Sequence, residues 1–80
     1  MKAKIHVTFK EGVLDPQGKA VRNALGSLGF GGVNSVRQGK FIELDLEESN
    51  FDKARSSVEE MCEQLLANTV IENYAIEIIE

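Results

Sequence analysis

The side chains that could do chemistry are few. The 80-residue sequence has one histidine, His6, one cysteine, Cys62, and one tyrosine, Tyr74. Nucleophilic and acid–base mechanisms need such groups within hydrogen-bond reach of one another. Here they fall on three separate elements: a first strand pattern, a second helix pattern and a last strand pattern. His6 lies on the polar side of its strand, which suits a solvated or interfacial side chain better than a base. Cys62 falls on the apolar stripe of its helix, where cysteine behaves as a small hydrophobe. The nearby carboxylates of Glu59 and Glu63 disfavour a thiolate. Cys62 has no cysteine or histidine partner at metal-ligand spacing. The carboxylates of the second helix read as a solvated face. No catalytic residue, no cofactor-binding residue and no metal site is expected.

The most distinctive stretch is Val13-Leu14-Asp15-Pro16-Gln17-Gly18-Lys19-Ala20. It joins a strand pattern to a helix pattern. Asp15 can accept hydrogen bonds from the first free amides, and Pro16 sits at the first helical position with φ already set. Gly18 is the odd residue, since glycine inside a first turn costs ~1 kcal/mol against alanine. Such a residue either leaves room for something close by or sits there by chance. If nothing packs there, Gly18→Ala should stabilise the helix.

The elements that must position these residues follow from periodicity. Residues 2–10 alternate, with Ile5, Val7 and Phe9 opposed to Lys4, His6, Thr8 and Lys10, as in a half-buried strand. Between residues 16 and 28, Val21, Ala24, Leu25 and Leu28 form one helical stripe. Gly29 suits a left-handed end cap, and Phe30 is expected to be pinned inward in the turn that follows. Residues 33–38 read as a second, weaker strand, closed by a turn at Gly39-Lys40. Residues 41–47 alternate again, so the two should pair as a hairpin. Ser49 or Asn50 caps a second helix whose stripe is Phe51, Ala54, Val58, Met61, Cys62 and Leu65. Residues 71–79 form a last strand, with Tyr74, Ile76 and Ile78 on one face.

The expected fold class is therefore α+β: a two-layer β-α-β-β-α-β sandwich, ferredoxin-like or a close variant, within a single domain spanning residues 1–80. A four-stranded antiparallel sheet would carry both helices on one face. The first strand would lie between the third and fourth, putting Lys4 and His6 beside Glu43, Asp45 and Glu77 on the open face. Ala75, Ile79 and Phe41 would make that face partly apolar and suited to a second copy.

Charge is divided along the chain. Residues 1–40 hold seven basic side chains against two acids, a balance of +5, and residues 41–80 hold two against eleven, a balance of −9. The net charge of −4 argues against sequence-independent nucleic-acid binding. No apolar run approaches the ~20 residues of a membrane span, and the N-terminus lacks the apolar block of a signal peptide. One cysteine excludes an intrachain disulfide and fits a reducing cytoplasm. The expectation is a cytoplasmic chain with neither nucleic acid nor membrane as partner.

Three look-alikes fail. Gly29-Phe30-Gly31-Gly32-Val33 follows a helix, whereas a dinucleotide fingerprint follows a strand. Phe30 lies in a connection, unlike the stacking aromatics of an RNA-recognition sheet. An acyl phosphate hydrolase of this element order needs an anion-cradling loop after its first strand, and Glu11-Gly12-Val13-Leu14 supplies an acid and no arginine.

Three blocks together resemble the PurS family, the small subunit of bacterial and archaeal phosphoribosylformylglycinamidine synthase. They are residues 10–20 (KEGVLDPQGKA), residues 36–44 (VRQGKFIEL) and residues 61–74 (MCEQLLANTVIENY), in the family's order. The resemblance implies a non-catalytic subunit that self-associates as a dimer or tetramer. It would join a synthetase subunit, where ATP and magnesium would bind, to a glutaminase subunit that releases ammonia. Partner contacts are then expected at Asp15, Pro16, Gly18, Arg37, Gly39 and Lys40. The rival expectation is a dimeric small-metabolite-sensing domain of the amino-acid-binding type, which shares the element order.

Overall fold

Strand β1 (Lys2–Phe9) is the central strand, and its alternation explains why. Ala3, Ile5 and Val7 point to one side and are fully or almost fully buried. In the computed structural model, which describes residues 1–80, β1 pairs antiparallel with β2 (Gly39–Asp45) on one side and β3 (Glu72–Ile79) on the other. The sheet order is β2-β1-β3. The register places Lys4 between Glu43 and Glu77 on the open face, as its charge pattern anticipates. His6 lies between Phe41 and Ala75, with its ring 4.8 Å from that of Phe41.

Helix α2 (Phe51–Met61) covers the other face. Asn50 is its cap, with Oδ1 accepting from the Lys53 amide at 3.0 Å. A π-helical turn, Cys62–Leu66, continues it, and the Ala67 amide closes that turn on the Cys62 carbonyl at 3.0 Å. Ala54, Val58 and Cys62 bury completely. Phe51, Met61 and Leu65, expected on the same stripe, are instead exposed, Leu65 by 82%. The helix is narrower in its buried contact than its sequence stripe.

The sheet has three strands, not four. Residues 33–38 form no strand and no hairpin with the next segment. Their two apolar residues, Val33 and Val36, stand three apart and cannot share a strand face. Their polar backbone is also engaged elsewhere: the Gln38 amide donates to Asp15, and the Val33 carbonyl accepts from Arg22 Nε at 3.3 Å. Gly39 and Lys40, read as a turn, are the first residues of β2.

Helix α1 (Pro16–Ser27) departs further from the expected layer. It makes no substantial contact with any strand, so only α2 covers the sheet. Val21 is 40% exposed and Leu28, its cap residue, 73%. Phe30 is exposed rather than pinned inward. The chain measures 48 × 25 × 14 Å with a radius of gyration of 15.9 Å, against about 12 Å for a compact chain of this length. α1 is an arm.

Candidate partner-binding site

Two connections meet where the arm leaves the body. After β1, the Lys10 amide donates to the Ile71 carbonyl at 2.9 Å, fixing the chain against the segment that leads into β3. The Val13 amide then donates to the Lys10 carbonyl at 3.2 Å, in a turn that places Gly12 at φ +84°. A side chain rarely adopts that φ, which accounts for the glycine.

Asp15 caps α1 in the way its sequence position suggests, and does a second task. Oδ1 accepts from the Gly18 amide at 2.9 Å, while Oδ2 accepts from the Gln38 amide at 2.9 Å. Both bonds favour the charged form. The Gln38 amide, then the Gly18 amide, hold the carboxyl below its ordinary pKa, with the Arg37 charge adding to the effect.

Gly18 is the one buried residue of α1. A Cβ added there would overlap the backbone carbonyl oxygen of Val36. The close neighbour is thus the chain's own return segment rather than a second chain. Gly39 is required for the same kind of reason, because its Cβ would overlap the Val7 carbonyl oxygen of the adjoining strand. Pro16 and Arg37 are exposed. Lys40 Nζ stands 3.8 Å from Glu72 Oε2, and Glu72 Oε1 accepts from the Asn68 amide at 2.7 Å.

The two stretches singled out by sequence therefore come together at one end of the sheet. Asp15 and Gly18 bind the return segment, and Arg37, Gly39 and Lys40 flank the Gln38 amide that Asp15 holds. Gln38 and Val36 escape sequence reading because only their backbone groups take part. Lys10, Gly12, Asp15 and Arg37 border an open cleft beside this junction.

The reactive residue types do not form a rival site. Tyr74 and Cys62 do approach through Glu63: the Tyr74 hydroxyl donates to Glu63 Oε2 at 2.8 Å. That bond, then burial and the charge of Glu63, push the tyrosine pKa up to about 12. Burial, then the charges of Glu63 and Glu59, push the Cys62 thiol up. Every shift keeps these groups neutral, the reverse of what an activated nucleophile needs. His6 lies across the sheet from them, on the open face.

A sequence model of the family PurS, phosphoribosylformylglycinamidine (FGAM) synthase, matches residues 2–80. The chain is 53% identical over 79 residues to the phosphoribosylformylglycinamidine synthase subunit PurS of Bacillus subtilis, covering 99% of this chain and 93% of that one. It is 43% identical over 77 residues to the subunit of the same name from Methanocaldococcus jannaschii, covering 96% and 93%. Among solved structures, PurS of B. subtilis superposes with a TM-score of 0.87 at 52% identity, over 99% of this chain and 98% of that one. A chain in the structure of PurLQS from Thermotoga maritima gives a TM-score of 0.88 at 35% identity, over 98% and 95%.

Two substitutions test the junction. Gly18→Ala should destabilise the protein by about 1–3 kcal/mol in urea denaturation, because a methyl group is forced against a backbone oxygen. An isolated helix would show the opposite sign. Asp15→Asn keeps one accepting oxygen and replaces the other with an NH2 group that cannot accept. Because the folded pKa of Asp15 is lowered, its contribution is complete above the ordinary carboxylate range and is lost as pH falls through the lowered value. The variant should unfold more readily than the wild type at neutral pH, and the two curves should converge in acid.

Proposed function

The chain belongs to the PurS family, and from that premise we propose that it is the non-catalytic small subunit of a phosphoribosylformylglycinamidine synthase in purine biosynthesis. Its role is to assemble a synthetase subunit with a glutaminase subunit, so that ammonia from glutamine reaches the site of ATP-dependent amidation. ATP and magnesium belong to the synthetase in this reading, and the complex works in the cytoplasm. The observation that carries the proposal is near full-length identity to subunits of that name from both bacteria and archaea. The neutral Cys62 and Tyr74, with His6 on the far face, fit a chain that acts through its surface.

The metabolite-sensing alternative is not favoured, since the same relatives carry the synthase subunit's name. Self-association is part of the proposal. Helix α1 leaves Val21 and Leu28 in water, and only eight of 80 residues are buried in a single copy. A chain this small gains from a partner that completes its core.

Partner contact is assigned to the exposed side of the junction, at Pro16, Arg37 and Lys40, with Asp15, Gly18 and Gly39 shaping the loops that present them. Charges at an interface set orientation and association rate. Arg37→Glu combined with Lys40→Glu should lower glutamine-dependent activity of the reconstituted complex on the order of tenfold or more. Unchanged activity, with the variant incorporated at full stoichiometry, would remove these residues from the interface.

A further inference from the structure

Leu65 and Val70 are the two most exposed large apolar side chains, at 82% and 81%. The backbone, not the sequence pattern, puts Leu65 in water. An α-helix turns about 100° per residue. Continued at that pitch past Ala54, Val58 and Cys62, it would carry Leu65 back into the buried stripe and leave Leu66 at the margin. The π turn at Cys62–Leu66 advances less per residue, so Leu66 and Ala67 pack against the core and Leu65 swings out beside the exposed Met61. Turns of this kind are rare and gather at functional sites. Val70 is held outward by a tied connection. Asn68 Oδ1 accepts from the Val70 amide at 3.2 Å, and the Asn68 carbonyl accepts from the Ile71 and Glu72 amides at 3.0 and 2.7 Å. The bond from the Tyr74 hydroxyl to Glu63 braces the π turn against β3. The segments carrying Leu65 and Val70 meet at one open cleft, lined in part by Glu63, Thr69 and Glu72.

We propose that Leu65 and Val70 form a docking knob for a partner subunit whose surface offers an apolar socket rimmed by lysine or arginine. This rests on the assembling role proposed above and gives it a second contact surface. The sign of the rim follows from charge. Glu60 and Glu63 lie on the same two turns as Met61 and Leu65, are exposed, and form no ion pair within the chain. A twofold contact of the knob with itself would set these carboxylates against their own copies, which disfavours a second copy as the occupant. The junction, by contrast, presents Arg37 and Lys40. Surfaces of opposite sign suit different partners, since like charges brought together reject the wrong one. The junction therefore holds one of the two larger subunits and the knob holds the other. In such a contact the desolvated apolar centre supplies affinity and the charged rim sets orientation.

Leu65→Asp with Val70→Asp, made in the full chain, tests the knob. Both side chains stand largely in water, so circular dichroism, urea denaturation and the mass of the free protein should match the wild type. The variant is then mixed with the synthetase and glutaminase subunits, and the assembly is recovered through a tag on this chain. Recovery of one subunit should fall about tenfold or more while the other is retained. Arg37→Glu with Lys40→Glu, run in parallel, should lose the subunit that the knob variant keeps. Full assembly by the knob variant overturns the proposal, as does loss of the same subunit, or of both, from the two variants. A knob variant whose free mass falls to the 8.8 kDa of one chain also overturns it, because the knob would then join copies. A wild-type chain that recovers neither subunit overturns the assembling role itself.

Discussion

One carboxylate decides the shape of this molecule. Asp15 accepts from the Gly18 amide inside its own helix and from the Gln38 amide of the return segment, each at 2.9 Å. Those bonds lock α1 to the residues that follow it, and the missing side chain of Gly18 lets the Val36 carbonyl come close enough to complete the fit. A hydrogen bond to a charged group is stronger than a neutral one, and two on one carboxylate fix direction as well as distance. Helix and return segment therefore behave as one unit. That unit is fastened to the end of the sheet, not laid across it.

The rest of the architecture follows. The Gln38 amide and the Val33 carbonyl turn toward the α1 unit, residues 33–38 add no fourth strand, and β2 is left as an edge. With α1 held away, only α2 and the turn that continues it cover the sheet, and the core reduces to a narrow seam of Ala3, Ile5 and Val7 with Val58, Cys62 and Ala67. The molecule is long, and its apolar surface is divided between a bare helix and a half-covered sheet. Membership of a family of synthase subunits gives that incompleteness a purpose. In the proposed role, such a chain contributes by what it holds together.

Much of this is legible in the sequence, and most of the misses concern what an apolar stripe packs against. The alternation of Lys4, Ile5, His6 and Val7 fixes β1, and its central place puts Lys4 between Glu43 and Glu77 as expected. The cap at Asp15 and the start at Pro16 are read correctly from residue type alone. What pattern could not show is whether an apolar stripe meets anything. Val21, Leu28 and Phe30 have the composition of buried residues and are exposed, because periodicity reports a face without reporting its partner. The same limit affects Phe51, Met61 and Leu65. Gly18 stands out by its cost to the helix, but the approaching group is the chain's own backbone carbonyl, which no side-chain code reveals. Asp15 and Gly18 meet the segment that carries Arg37 through backbone groups, whereas Gly39 and Lys40 are placed by β2.

The central claim is that this chain functions by joining other subunits. Native mass spectrometry of the assembly purified from cells through the glutaminase subunit tests it most directly. The account predicts one complex containing glutaminase, synthetase and this chain, with the chain present in pairs. A glutaminase–synthetase complex of full activity that leaves this chain behind would contradict it.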